Sequence, residues 1–157
     1  MTPITASKHF NAPLEMVWEV MADFENAADR IQAIVKSEIL TDGSVGEGTR
    51  FRETRIMFKR EATEEMEITT WDPPNSYTTE GDGCGCHSTC VITCEPDGDG
   101  TKVTMSMSIC PLSTFAKIMG VFTGWMIKGA CAKEFGKDLE DLKAVVESSG
   151  TASAQPA

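Results

Sequence analysis

Histidine is scarce in this chain: His9 and His87 are the only two among 157 residues. Acyl-transfer chemistry of the Cys–His or Ser–His–Asp kind needs an imidazole beside the nucleophile, and no such constellation is evident. Positive charge is also short. Fourteen Lys and Arg stand against 24 Asp and Glu, a formal charge of −10. That balance repels phosphate backbones and anionic bilayers, so it argues against a nucleic-acid or membrane-surface role. The opening MTPITASKHFNAP holds no apolar core segment, so no secretory signal is expected. A long uninterrupted hydrophobic run is missing too. The most apolar stretch, Leu112 to Ala132, contains Lys117 and Lys128. A spanning helix wants ~20 apolar residues, and a lysine near its centre costs roughly 2.5–3.5 kcal/mol. No integral membrane association is expected, and the protein is read as soluble and cytoplasmic.

What remains is ordinary globular material, 41% hydrophobic and 24% charged. The length suits one domain with a core of its own, expected over residues 1–148. The tail SSGTASAQPA, with residues 149–157, has little to pack and is expected to be disordered. Asn11 can cap a helix whose first turn contains Pro13, and Leu14, Val17, Trp18 and Met21 form its apolar stripe. Asp23 can cap a second short helix from Phe24 to Arg30.

From Ile34 the hydrophobic period changes to two. Strand candidates are Ile34–Thr41, Thr49–Phe58, Glu61–Trp71, Ser76–Thr79, Cys84–Glu95 and Thr101–Cys110, separated by turn chemistry such as Lys59-Arg60, Gly81-Asp82-Gly83 and Asp97-Gly98-Asp99-Gly100. Connections this short imply antiparallel pairing. A long helix capped by Ser113 follows. Phe115, Ile118, Met119, Phe122, Met126, Gly129, Leu139, Leu142 and Val146 keep the helical period to about Glu147, and four glycines suggest a kink or a close backbone approach. The order is that of an α+β fold, with a curved sheet gripping the last helix.

Several motifs sharpen this. They are Phe10-Asn11-Ala12-Pro13 before Val17-Trp18, Asp23-Phe24-Glu25-Asn26, Gly46 to Glu53, Trp71-Asp72-Pro73-Pro74, Glu95-Pro96 before Gly100 to Val103, and Asp138 to Lys143. In this order and spacing the chain resembles the START-related helix-grip (SRPBCC) superfamily, in particular its polyketide cyclase/dehydrase and lipid-transport branch, from about residue 5 to 148. The resemblance implies a helix-grip fold: a curved antiparallel β-sheet wrapped around a long C-terminal α-helix, with two short helices after the first strand. It also implies a small hydrophobic ligand such as a lipid, quinone or polyketide. Relatives differ widely in what they bind. The departure is Cys84 to Cys94, where relatives usually carry aromatic and aliphatic residues.

Two hairpins can be registered by counting. With Lys59-Arg60 as turn, Met57 meets Ala62, Arg55 meets Glu64, Glu53 meets Met66 and Phe51 meets Ile68. This inward face mixes apolar residues with Glu53, Arg55 and Glu64, and places Arg55 across from Glu64 as an ion pair. The trio is either a polar anchor inside a cavity or a pair at an open sheet edge. With Asp97–Gly100 as loop, Cys94 meets Val103, Ile92 meets Met105, Cys90 meets Met107 and Ser88 meets Ile109. The resulting soft face suits a pliable apolar cavity, or simply a packed core. An enclosed space bounded by Phe51, Met57, Met66, Ile92, Met105, Met107, Phe122 and Met126 is expected, with Cys90 and the charged trio also facing the ligand.

The cysteines 84, 86, 90, 94, 110 and 131 are expected to be reduced thiols without metal. Cys84 and Cys94 would lie ~33 Å apart on a strand at ~3.3 Å per residue, too far for one tetrahedral ion. The spacing C-x-x-C is absent. His87 faces the outer side, opposite Cys110. Trp18, Trp71 and Trp125 read as core or rim packing. The expected function is binding of a small hydrophobic ligand, without cofactor, by a monomer or homodimer. One alternative is a cyclase or dehydratase using Glu53 or Glu64 for proton transfer. Another is thiol-based redox or soft-metal sensing through the cysteine strand.

Overall fold

A computed structural model describes residues 3–83 and 85–154, without the side chains of residues 121–123 and 149–154. Cys84, the Phe122 side chain and residues 155–157 therefore lie outside the described residues. The chain opens with strand β1 (Ile4–Phe10), followed by helices α1 (Leu14–Met21) and α2 (Ala27–Arg30). Six strands come next: β2 (Ile34–Ile39), β3 (Arg50–Met57), β4 (Arg60–Asp72), β5 (Ser76–Gly83), β6 (Cys86–Asp97) and β7 (Gly100–Pro111). Helix α3 (Thr114–Ala154) closes the chain. The seven strands form one antiparallel sheet in the order β1-β7-β6-β5-β4-β3-β2, curled around α3. This is the helix-grip arrangement.

Local chemistry explains where the elements begin. Ser113 caps α3, its Oγ accepting from the Ala116 N–H at 3.1 Å. Asn11 does not cap α1, because its backbone and side-chain amides both donate to Glu147 Oε1 on α3. Pro13 takes the N-cap position with extended backbone. Asp23 accepts from the Asn26 backbone N–H at 3.3 Å and pairs with Arg30, which shortens α2 to a single turn.

The β3–β4 hairpin departs from expectation. Its turn is Phe58-Lys59, with φ of 53° and 64°, the left-handed pair a tight two-residue hairpin turn requires. Pairing therefore shifts by two residues: Phe51 faces Met66, Glu53 faces Glu64 and Arg55 faces Ala62. A slip of two preserves parity, so the inward face is unchanged while every partner is new. The β6–β7 register, in contrast, is as counted, with Cys94 opposite Val103 and Cys90 opposite Met107. Gly81-Asp82-Gly83 is strand rather than turn, and β5 continues through it. A Cβ at Gly81 would lie 2.5 Å from the Glu65 carbonyl oxygen, so only glycine permits this approach to β4.

The main core joins Phe10, Val17, Trp18, Phe24, Ile68 and Tyr77 to Leu139, Leu142 and Val146 of α3. A smaller cluster joins Ile4 to Cys131 and Phe135. Helix α3 extends through Ala154, past the end expected near Glu147. Its glycines make no close approach: a Cβ at Gly120, Gly124, Gly129 or Gly136 would meet nothing within 4 Å. Among the described residues, no helix is long and apolar enough to cross a membrane.

Candidate functional site

Inward-facing residues of β3 to β7 and the second half of α3 surround a cavity closed at one end by α1 and α2. Of the twelve positions expected to meet a ligand, Phe51, Glu53, Arg55, Met66, Cys90, Ile92, Met105 and Met107 line it. Met57 packs instead with the Ile4–Cys131–Phe135 cluster. Glu64 is on the inward face but lies against Gly83, and it is not part of the lining. Met126 is a correction. It is 60% exposed, because the first half of α3 stands away from the sheet. Phe122 cannot be placed beyond its helical backbone, since its side chain is outside the described residues.

The void measures about 130 Å³, well under the ~300–1,000 Å³ of drug-sized ligand sites. It is close to the ~150 Å³ apolar cavity that takes up a benzene. Among the described residues the expected ligand-sized enclosure is not closed on the side assigned to Met126, which is exposed.

The expected Arg55–Glu64 ion pair is replaced by another. Arg55 Nη2 donates to Asp138 Oδ2 at 2.7 Å, and its Nε lies 3.3 Å from Glu53 Oε1. The register sets this up: Arg55 and Glu53 are two apart on β3 and share its inward face, while Ala62 opposite Arg55 leaves room for the guanidinium. All three side chains are largely withdrawn from water, at 17%, 18% and 4% exposure for Arg55, Glu53 and Asp138. Arg55 Nε is buried without a hydrogen-bond partner among the described residues.

Burial pushes the Glu53 carboxyl above its ordinary value, partly offset by Arg55, while Asp138 and Glu64 add to the rise. Burial likewise raises Asp138 against the opposing pull of Arg55. Arg55 is disfavoured as a cation by burial, yet the two carboxylates more than offset this and hold it charged. The site therefore sets two acids against one permanent cation. Asp138 is the residue that counting strands could not supply. Its signal was a lone carboxylate beside Phe135, Leu139 and Leu142 on the apolar side of a helix.

Around the ions the walls are aromatic and sulfur-rich. Tyr77 is buried and donates its hydroxyl to the Met21 carbonyl at 2.9 Å. It stacks in a cluster with Trp18, Trp71 and Phe24, so Trp18 and Trp71 pack as expected. Trp125 does not; it is 77% exposed. Burial pushes the Cys90 thiol to about 12 and the Cys94 thiol to about 11. Both stay protonated near neutrality and are poor nucleophiles and metal ligands. Cys86, Cys90, Cys94, Cys110 and Cys131 are all free. On the outer face His87 lies opposite Cys110 and contacts Asp82 at 2.6 Å and Glu80 at 3.2 Å. Among the described residues no group of three or more His, Cys, Asp or Glu could hold a metal ion.

Comparison with known proteins agrees with this architecture. A START superfamily protein from Mycobacterium smegmatis superposes with a TM-score of 0.78 at 14% identity, covering 94% of this chain and 99% of that one. The Zhui aromatase/cyclase from Streptomyces sp. R1128 gives 0.77 at 17% identity, covering 98% of each chain. A protein from Thermus thermophilus gives 0.75 at 18% identity, covering 94% of this chain and 98% of that one. At these identities the likeness is one of fold. No curated protein sequence matches. The family model for polyketide cyclase / dehydrase and lipid transport matches residues 1–147, and with nearly the whole chain inside it the protein belongs to that family.

Proposed function

We propose that the protein binds a small, mainly apolar molecule carrying one hydrogen-bonding oxygen, held between the sheet and α3. The observation that carries this is the charged group of Arg55, Glu53 and Asp138 on the wall of a largely apolar cavity, with Arg55 Nε buried 3.3 Å from Glu53 Oε1 and without a well-formed hydrogen bond. A ligand carbonyl or hydroxyl reaching this group would add a charge-assisted hydrogen bond to it. The present void admits a ring-sized group. The family supports an apolar ligand in general terms. A second reading is favoured by the upward shift of Glu53, which suits a carboxyl that gives and takes a proton from a bound polyketide-like substrate.

Native mass spectrometry of freshly purified protein tests the first reading. An extra non-covalent mass is expected in the wild type and not in Cys90→Phe, which fills the cavity. Absence of any added mass, with no saturable uptake of fatty acids, quinones or aromatic polyketides, would overturn it.

A further inference from the structure

The first half of α3 presents an apolar face that the cavity does not use. Phe115, Ile118, Trp125 and Met126 are 73%, 54%, 77% and 60% exposed. At ~100° per residue they fall within a sector of roughly 100°, so they form one stripe. Lys117 and Lys128 lie about 130° and 110° from the centre of this stripe, on its flank. The stripe that buries the second half of the helix is centred about 130° away from this one. One sheet cannot cover both.

A second element joins this surface. Antiparallel topology brings the β3–β4 turn, the β5–β6 turn and the start of α3 to the same end of the sheet. Leu112 N donates to the Gly85 carbonyl at 2.9 Å, which ties two of the three together. The β3–β4 turn adds Phe58, 56% exposed, followed by Lys59 and Arg60, and Leu112 is 59% exposed.

Charge is distributed unevenly between the two ends. From Leu112 to Lys133 the chain has Lys117, Lys128 and Lys133 and no acidic residue, although its overall charge is −10. The loops at the far end carry Asp42, Glu47, Asp72, Asp97 and Asp99. Twelve-residue strands such as β6 put those acids about 35–40 Å away at ~3.3 Å per residue. That is several Debye lengths at physiological salt, where the length is ~8 Å. The nearer acids include Glu61 beside Lys59 and Arg60, Glu64 against Gly83, Glu80 and Asp82 in contact with His87, and Glu134, which pairs with Lys137. An anionic surface meeting the near end thus feels the lysines and little of the far acids.

We propose that this end of the molecule docks on an anionic lipid bilayer, with Phe115, Ile118, Trp125, Met126 and the Phe58 turn entering the headgroup layer. A helix with an aromatic and aliphatic stripe flanked by lysines is suited to lying in that interface. Tryptophan favours the boundary between polar and apolar regions. A second copy related by a two-fold axis fits less well, because it joins two copies of the same basic end and gives the lysines no partner of opposite charge.

Co-sedimentation of the full chain with vesicles at 0.1 M salt tests this. Binding is expected to vesicles of phosphatidylcholine with 30% phosphatidylglycerol, and much less to phosphatidylcholine alone. Lys117→Glu with Lys128→Glu should weaken it by at least about fivefold per position. Phe115→Ser, Trp125→Ser and Met126→Ser together should reduce it to background while circular dichroism and the thermal midpoint stay unchanged. Cys90→Phe should bind vesicles as the wild type does, which separates this surface from the cavity. No binding to anionic vesicles, or equal binding by wild type and variants, overturns the proposal. So does a wild-type dimer in sedimentation that the triple substitution turns into a monomer.

Discussion

Between Thr114 and Ala130 no described side chain of α3 is buried, whereas from Cys131 to Val146 the helix buries Cys131, Phe135, Leu139, Leu142 and Val146. The two halves have similar apolar content, which does not separate them, although the first carries two charged residues and the second seven. What differs is the direction of the apolar stripe. The second half points its stripe at the sheet and adds Asp138 as an anchor for Arg55. The first half points its stripe outward and offers the sheet side Gly120 and Gly124, which touch nothing. A helix that looks uniformly amphipathic by residue count can therefore be a structural element for half its length and a surface for the rest.

The sharpest way to break this contrast is to truncate one aromatic ring in each half. Phe135→Ala should lower the unfolding free energy by about 3–5 kcal/mol in urea denaturation. The matching change Phe115→Ala belongs at the other end of the scale, within ~0.5 kcal/mol of wild type. Equal effects would mean that the first half is packed after all.

Arg55→Met comes next, since it strands Asp138 and Glu53 without their cation. The expected loss is about 3–5 kcal/mol at pH 7, smaller at acid pH, where the carboxyls take up protons. Adding Asp138→Leu should restore much of it. Restoration by Glu64→Leu instead would reinstate the pairing that the turn at Phe58 excludes.

Glu53→Gln tests the electrostatics with a smaller effect. A carboxyl whose folded value is raised contributes most to stability when protonated, below its unfolded value near 4.5, and loses that contribution as pH rises through the folded value. Replacing it by a neutral amide should therefore make the protein more stable than wild type at pH 7. The difference should fade below pH 4.5. A variant destabilised at pH 7 and not at pH 4 would show that the Arg55 attraction outweighs burial.

Hydrogen exchange compares the halves without mutation. Amides of 114–130 should exchange faster than those of 131–146, because fewer packed contacts oppose local opening.

The sequence made the fold legible because period, turn residues and motif order all agreed. It also gave the inward face of β3, β4, β6 and β7, since parity survives a slip of two. Partners were harder. The β6–β7 register could be counted because Gly98, with φ of 60°, sits where a tight turn needs it. The β3–β4 register could not, because the turn uses Phe58 in a left-handed conformation that aromatic residues seldom adopt. Asp138 was hidden for a different reason. Its partner on β3 lies 83 residues earlier, and no local pattern encodes that distance. The cavity wall failed because Met126 and Leu139, thirteen residues apart, were placed on one stripe, whereas helical geometry puts them roughly 140° apart.

The sheet order carries a consequence for how the chain folds. Strand β1 pairs along its length with β7, Ile4 opposite Met107 and Phe10 opposite Thr101. Strand β1 is thus made well before its partner β7, and the helix that packs on both comes later still. Such long-range closure places the chain among slow folders, in the range of milliseconds to seconds. During synthesis the β2–β6 meander can form alone, with its inner face wet and both edges open.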